Sequence, residues 1–277
     1  MQTLTLCADD FGLNDAVSRG IIELAASGRL SAVSCMSASP LWGEHAAWLM
    51  PLRSRIDIGL HLTLTGLSPL APMPLLAPEG RLPELGRVLR DGLLHRLPRA
   101  EIRAELRRQM EAFIERFGRA PDFIDGHQHV HVLPGVRETV FELWDEYLKP
   151  GQGYLRSCHE PVEAILRRGI EPIKALIIAT LSARLTRQAR KRGVLINDSF
   201  RGVHDFSGKK PPEQLFPWFL QGKGTRPLVM CHPGHVSGDD DDELRDWRPR
   251  EYAYFSSEQF LIDLKAAGVS LGRLPRQ

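Results

Sequence analysis

The sequence has little of several things that would narrow its function at once. Its four cysteines, Cys7, Cys35, Cys158 and Cys231, form no Cys-x-x-Cys pair, and each sits in or beside an apolar, strand-like stretch. Cysteine in such a setting behaves as a small buried hydrophobe, which argues against a zinc knuckle or a disulfide framework. Cys231 stands next to His232, yet no further element of a cysteine–histidine nucleophile accompanies it. Charge of one sign is also missing: 36 basic against 34 acidic residues leave +2 over 277 residues, no field that would gather nucleic acid or an anionic bilayer. The longest apolar run, ALIIATL at 175–181, is too short to span a membrane, and the first fifteen residues carry neither a basic leader nor a long apolar region. These absences predict a soluble, cytoplasmic protein.

What is present is a rhythm. Short apolar runs suited to strands recur at 3–8, 31–37, 56–62, 122–126, 153–157, 194–197, 228–232 and 269–272. Between most of them lie stretches with apolar residues three and four apart: 15–27, 99–117, 135–148, 160–192 and 256–267. The first begins after Asn14 and ends before Gly28, sound start and stop signals. Strand followed by helix, repeated without a break in composition, predicts a parallel sheet covered by helices in one domain spanning 1–277. One segment interrupts it. Residues 66–98 are too rich in proline for a regular element and read as an insertion after the third strand, of a length that suits a loop covering a site. The acidic run GDDDDELRD at 238–246 lacks the spaced ligands of a calcium loop and reads as a solvated loop.

Polar, metal-capable residues cluster at the ends of the predicted strands. The first, TLTLCADDFGLND, sets Asp9 and Asp10 side by side, although each carboxylate raises the cost of ionising the other. His61 ends the third strand, His127 the fourth and His232 the seventh. In a β/α barrel, strand ends distant in sequence converge at one mouth, so these residues would meet in space. In FIDGHQHVHVLP, His127, His129 and His131 would point to one side of an extended chain, and one or two of them are enough for a metal. His61 has apolar neighbours on both sides, where an imidazole is costly without a partner. Two imidazoles and one carboxylate can hold a divalent ion and leave positions open for water and substrate. If Asp10 binds the cation, Asp9 is free to accept a proton, provided that the strand bends at Phe11-Gly12 so that both face one site.

ADDFGLN, IGLHLTLTG, DGHQHVH and CHPGH, in this order and spacing, resemble the YdjC-like family of carbohydrate deacetylases, which includes chitooligosaccharide and hopanoid-associated deacetylases. The resemblance runs nearly the full length, since REYAYFSSEQFLIDLKAAGV at 250–269 looks like the family's closing helix. It implies a distorted β/α barrel, TIM-barrel-like and of the deacetylase type. It also implies a divalent metal, Mg or Zn before Mn or Co, with Asp10, His61 and His127 on the ligand positions and Asp9 on that of the catalytic base. Two positions depart from the pattern: Cys7 stands where many members carry Asn, and His235 where an aromatic is frequent.

The expected reaction is hydrolysis of an N-acetyl group on an amino sugar or oligosaccharide, the substrate being a soluble N-acetylated sugar or a glycolipid. His232 is the candidate general acid, and Arg156, Asp198 and Trp247 are candidate sugar contacts. Other metal-dependent amidohydrolases and phosphoester hydrolases on β/α barrels carry His-x-His on the first strand, where this chain has Asp-Asp. A non-catalytic, metal-stabilised sugar-binding protein would not need Asp9. The apolar and basic segment 160–192 reads as a long helix or a broken pair, with a homodimer contact or a lipid-linked substrate as its alternative uses.

Overall fold

The structure is a computed structural model that describes residues 1–149, 151–221 and 224–276. Its strands are β1 (Gln2–Phe11), β2 (Ala32–Cys35), β3 (Asp57–Leu62), β4 (Phe123–Gly126), β5 (Tyr154–Leu155), β6 (Ser199–Arg201), β7 (Pro227–Cys231) and β8 (Val269–Leu271). They form one sheet in the order β5-β4-β3-β2-β1-β7-β6, with β8 against the start of β1, and every pairing is parallel. The sheet curls into a distorted β/α barrel, and a single bridge from Leu155 of β5 to Ile196, just ahead of β6, spans its seam. The strands are buried along nearly all their length, as expected of a parallel sheet covered on its outer face, and this is why they read as apolar runs rather than alternating ones.

The helices are α1 (Asp15–Ala26), α2 (Trp42–Leu49), α3 (Leu85–Leu93), α4 (Arg99–Phe117), α5 (Val136–Tyr147), α6 (Val162–Arg168), α7 (Pro172–Lys191), α8 (Pro212–Leu220), α9 (Arg248–Ser256) and α10 (Glu258–Ala266). Asn14 caps α1 by accepting from the Val17 N–H at 2.9 Å. α4 has the bounds that Pro98 and Gly118 dictate. The segment 160–192 is a broken pair. Gly169, at φ +66°, ends α6 by donating to the Ile165 carbonyl, and Pro172 opens α7 at a position that needs no N–H donor. Among the described residues no helix is long and apolar enough to cross a membrane.

Two expectations need correction. The run at 194–197 is no strand. It makes the single bridge at the barrel seam, where the Asn197 side chain takes over the pairing by accepting from Ser157 N and donating to Ser157 O, both at 2.7 Å. The regular strand is β6, a few residues later. The insertion 66–98 does contain a helix: no proline falls between Pro83 and Pro98, and α3 forms in that proline-free stretch. Carboxylates of α4 hold the rest of the insertion in place, Glu101 accepting from Leu75 N and Leu76 N at 2.9 Å and Glu105 from Leu70 N at 3.1 Å.

Candidate metal centre

At the C-terminal end of β1 the two carboxylates are brought to one face by a bulge. β1 pairs Ala8 with Val33 and next Phe11 with Cys35, so one extra residue is accommodated between them. Asp10 takes φ +68°, a left-handed conformation that Asp tolerates better than most residues. A regular strand would turn Asp9 and Asp10 to opposite sides; the bulge re-aims one of them, and both line the same cavity of about 1290 Å³. The bend therefore lies at Asp10 itself, one position before the expected Phe11-Gly12.

Asp10 Oδ1 is 2.8 Å from His127 Nδ1 and 3.3 Å from His61 Nε2. One potential ligand atom from each of the three lies within 4.8 Å of the others, and Asp10 and His61 are both nearly fully buried. A hard carboxylate oxygen with two imidazole nitrogens, converging on one point at a cavity wall, suits a divalent cation with open positions. Burial works against the charge on Asp10, but His127, Arg248 and His61 outweigh it and hold its carboxyl well below the usual range. Burial also disfavours protonated His61, and the Asp125 and Asp10 carboxylates overcome it, pushing His61 up to about 10. Arg248 closes the far side of Asp10. Its Nη2 is 2.9 Å from Asp10 Oδ2 and its Nε donates to Asp242 Oδ2 at 2.7 Å.

Beneath this triad Arg156 is fully buried and grips Asp9, with Nη1 on Oδ2 and Nη2 on Oδ1, each at 2.6 Å. Its Nη2 also lies 2.9 Å from Cys7 Sγ and 2.5 Å from Asp125 Oδ2. Cys7 thus packs against this guanidinium, and burial pushes its thiol up. His61 Nδ1 is 2.7 Å from Asp125 Oδ1, which also accepts from the Ser34 hydroxyl at 2.5 Å.

The three histidines of FIDGHQHVHVLP do not alternate on a strand. β4 stops at Gly126, and His127–Val132 form a 3₁₀ turn with Gln128 and His129 at positive φ. The turn sends the side chains three ways. His127 reaches Asp10, His129 faces the cavity, and His131 is buried with Nε2 3.0 Å from the Arg156 carbonyl. His232, just past β7, lines the cavity, and burial holds its imidazole below the ordinary value against the pull of Asp10, Asp9 and Glu251. The HPG stretch fits closely: a Cβ on Gly20 of α1 would lie 2.9 Å from Gly234 Cα, so this backbone contact docks the loop after β7.

The structure does not bring the three expected sugar contacts to the cavity wall. Arg156 is the buried clamp on Asp9. Asp198 precedes β6, at the opposite end of the barrel, where it accepts from Arg226 N at 2.9 Å and from the Thr225 hydroxyl at 3.0 Å. Trp247 is buried, its indole N–H donating to Glu251 at 2.6 Å, and it anchors the start of α9. His235 pairs with Glu23 at 3.0 Å and packs on Tyr252. The acidic run is not a merely solvated loop: residues 239–244 line the cavity rim, Asp242 is buried against Arg248, and Asp241 meets Arg81 of the insertion at 3.1 Å. Sequence reasoning passed over Ser34, Asp125 and Arg248. Asp125 had a signal, a carboxylate inside an apolar strand two residues before His127.

The chain matches the family described as YdjC-like protein over residues 3–266, and it belongs to that family. It is 37% identical to a carbohydrate deacetylase of Geobacillus stearothermophilus over 83% of this chain and 78% of that one. It is 30% identical to a chitooligosaccharide deacetylase of Klebsiella pneumoniae over 85% and 82%. With a chitooligosaccharide deacetylase of Proteus mirabilis the identity is 37%, and the match spans 57% of that protein's length. Among solved structures, an Enterococcus faecalis protein described as a cellobiose-phosphate cleavage protein superposes with a TM-score of 0.72 at 22% identity, covering 98% of this chain and 97% of that one. A peptidoglycan N-acetylglucosamine deacetylase superposes with a TM-score of 0.50 at 11% identity, covering 99% and 86%. These two likenesses concern the fold.

Proposed function

We propose that this protein is a metal-dependent carbohydrate deacetylase, a hydrolase that removes the N-acetyl group from an amino sugar. The observation that carries the reading is the convergence of Asp10, His61 and His127 beside an arginine-clamped Asp9 on one cavity wall. The deacetylase names of the relatives support it. A divalent cation held by the triad, Mg or Zn before Mn or Co, would polarise the amide carbonyl and acidify a water. Asp9 then takes the proton of the attacking water, its carboxylate held in one orientation by Arg156. The C–N bond breaks as the leaving nitrogen takes a proton from His232 in its imidazolium form, which burial makes the minor form and the Asp10, Asp9 and Glu251 carboxylates favour, releasing acetate and the free amine. The reading takes residues 1–277 as one deacetylase domain with an insertion at 66–98, supported by the family match over 3–266 and by the anchoring of the insertion on α4. It places the enzyme in the cytoplasm.

The cavity wall favours a glycolipid over a long soluble oligosaccharide. Away from the triad Leu70, Leu85, Leu89, Ile173 and Ile177 make an aliphatic stretch of the lining, beside one aromatic, Phe206, and charged residues such as Lys174, and Ile173 is 74% exposed. Aliphatic side chains suit an apolar aglycone, whereas sugar rings stack best on aromatic faces. The test is amine release from soluble N-acetylated oligosaccharides and from an N-acetylglucosaminyl lipid in detergent, with and without a chelator. Release from either class that the chelator abolishes and added metal restores is expected, with higher kcat/KM on the lipid. Full activity in chelator overturns metal dependence, and no release from either class overturns the deacetylase reading.

A further inference from the structure

Asp125 touches neither the cavity nor any group that reacts, yet it stands between the two halves of the site. Its Oδ1 is 2.7 Å from His61 Nδ1 and accepts from the Ser34 hydroxyl at 2.5 Å. Its Oδ2 is 2.5 Å from Arg156 Nη2, and the same guanidinium holds both oxygens of Asp9 at 2.6 Å. Asp125 and Arg156 are fully inaccessible, and Asp9 and His61 nearly so. In so dry a cluster each group depends on its charged neighbours, because removing one leaves the others buried and unpaired.

We propose that Asp125 is the positioning residue of this site, coupling the orientation of the metal-ligand histidine His61 to that of the base Asp9 through one shared guanidinium. The inference rests on the deacetylase reading above. One arm acts on His61. A carboxylate accepting from Nδ1–H keeps that proton in place, fixes the plane of the ring and leaves Nε2 as the nitrogen that faces Asp10. The other arm acts on Arg156, whose Nη2 lies 2.5 Å from Asp125 Oδ2 and 2.6 Å from Asp9 Oδ1, so that Asp125 helps fix the guanidinium that orients Asp9. Ser34 steadies Asp125 from β2, the strand between the one that carries Asp9 and the one that carries His61. Cys7 lies within this packing, against both Arg156 and Asp9.

The two arms separate in the variants. Asp125→Ala removes both. In Asp125→Asn the amide oxygen can still accept from His61, while its NH₂ faces Arg156 as donor against donor. Co²⁺ alone, followed by its visible absorption, reports the His61 arm without turnover. Asp125→Ala is expected to bind Co²⁺ about 10- to 100-fold more weakly, whereas Asp125→Asn keeps affinity within a few-fold and loses about 100-fold in kcat with KM little changed. Parent-like Co²⁺ affinity in Asp125→Ala, or parent-like kcat in Asp125→Asn, overturns the inference. Should neither variant fold, Ser34→Ala decides: a roughly threefold loss of Co²⁺ affinity is expected from the missing hydrogen bond, and unchanged affinity and kcat overturn it. His61→Ala is the control. If it binds Co²⁺ as the parent does, the metal-site reading itself has failed; if it loses the ion while Asp125→Ala keeps it, only the present inference has.

Discussion

Buried aspartates stand at both ends of the barrel, and the partners of Asp57 and Asp122 at one end differ from those of Asp9 and Asp10 at the other. At the N-terminal end Asp57 opens β3 and Asp122 precedes β4. Asp57 takes Arg273 at 2.7 Å and Arg276 at 3.0 Å, and Asp122 takes Arg119 at 2.9 Å, with Arg276 again at 2.9 Å. Backbone N–H groups of Leu274 and Ile58 fill further positions. Every charged partner there is a guanidinium, which neither gives up its proton nor makes room for a metal. The pair is closed, and what it holds is the C-terminal tail against the sheet. At the mouth Asp9 is closed in the same manner by Arg156, but Asp10 faces two imidazoles as well as Arg248. An imidazole can exchange its proton for a cation, and that leaves the mouth open to chemistry. Buried carboxylates alone do not mark a site; the chemistry of their partners does.

The largest effects are expected where the comparison is broken at the mouth. Asp9→Asn is nearly isosteric but cannot take a proton, so it should keep bound metal and lose about 10²- to 10⁴-fold in kcat. Asp10→Asn exchanges an anionic ligand for a neutral one, so its loss should be partly recovered at high metal concentration. Metal content and amine release, measured together on both variants, check this. Excess metal rescuing Asp9→Asn while Asp10→Asn stays inactive with its ion bound would reverse the roles.

At the closed end the same chemical change should leave catalysis untouched. Asp122→Asn retains an oxygen for the Ile58 N–H but weakens the bonds to Arg119 and Arg276, and part of that loss is screened because these arginines are about one-third exposed or more. A cost of about 2 kcal/mol in unfolding free energy is expected, read from denaturant melts, with kcat and KM at parent values. A kcat loss as large as that of Asp9→Asn would mean that the two ends are coupled and that the division drawn here is wrong.

How much of this was legible depended on how far each signal reached along the chain. Asp9, Asp10, His61 and His127 were readable because each is a polar residue where an apolar strand stops. α4 was readable to the residue because Pro98 and Gly118 bracket it. The bulge that turns Asp10 left no mark, since the extra residue is defined only against β2. Arg156 meets Asp9, and Arg248 meets Asp10, across most of the chain, and nothing near either arginine announces its partner. The run at 194–197 misled because an apolar stretch that makes a single bridge at a seam has the composition of a full strand. His127, His129 and His131 misled for the opposite reason. Their spacing of two implies alternation only while the chain stays extended, and it stops being so at Gly126.

The smallest expected effect sharpens the comparison in pH rather than in rate. His131 is fully buried under the mouth with its Nε2 on the Arg156 carbonyl. Burial, aided by Arg156 and His61, disfavours its charged form; Asp125 and the carbonyl bond oppose this without prevailing, and His131 is held down at about 4. The unfolded chain protonates this imidazole near its ordinary value of about 6.5 while the folded one does not. The stability that it contributes is therefore present above about pH 6.5 and is lost as the pH falls toward about 4. Between about pH 7.5 and 5.5 the loss should approach roughly 1 kcal/mol. His129, held low mainly by burial with His131 and Arg156 adding to it, adds in the same direction. His131→Gln can keep a donor for the carbonyl but does not titrate, so urea melts across that interval should show a shallower slope, not a flat one. A slope equal to the parent's would mean that His131 titrates alike in the folded and the unfolded chain, and that burial does not hold down its charged form.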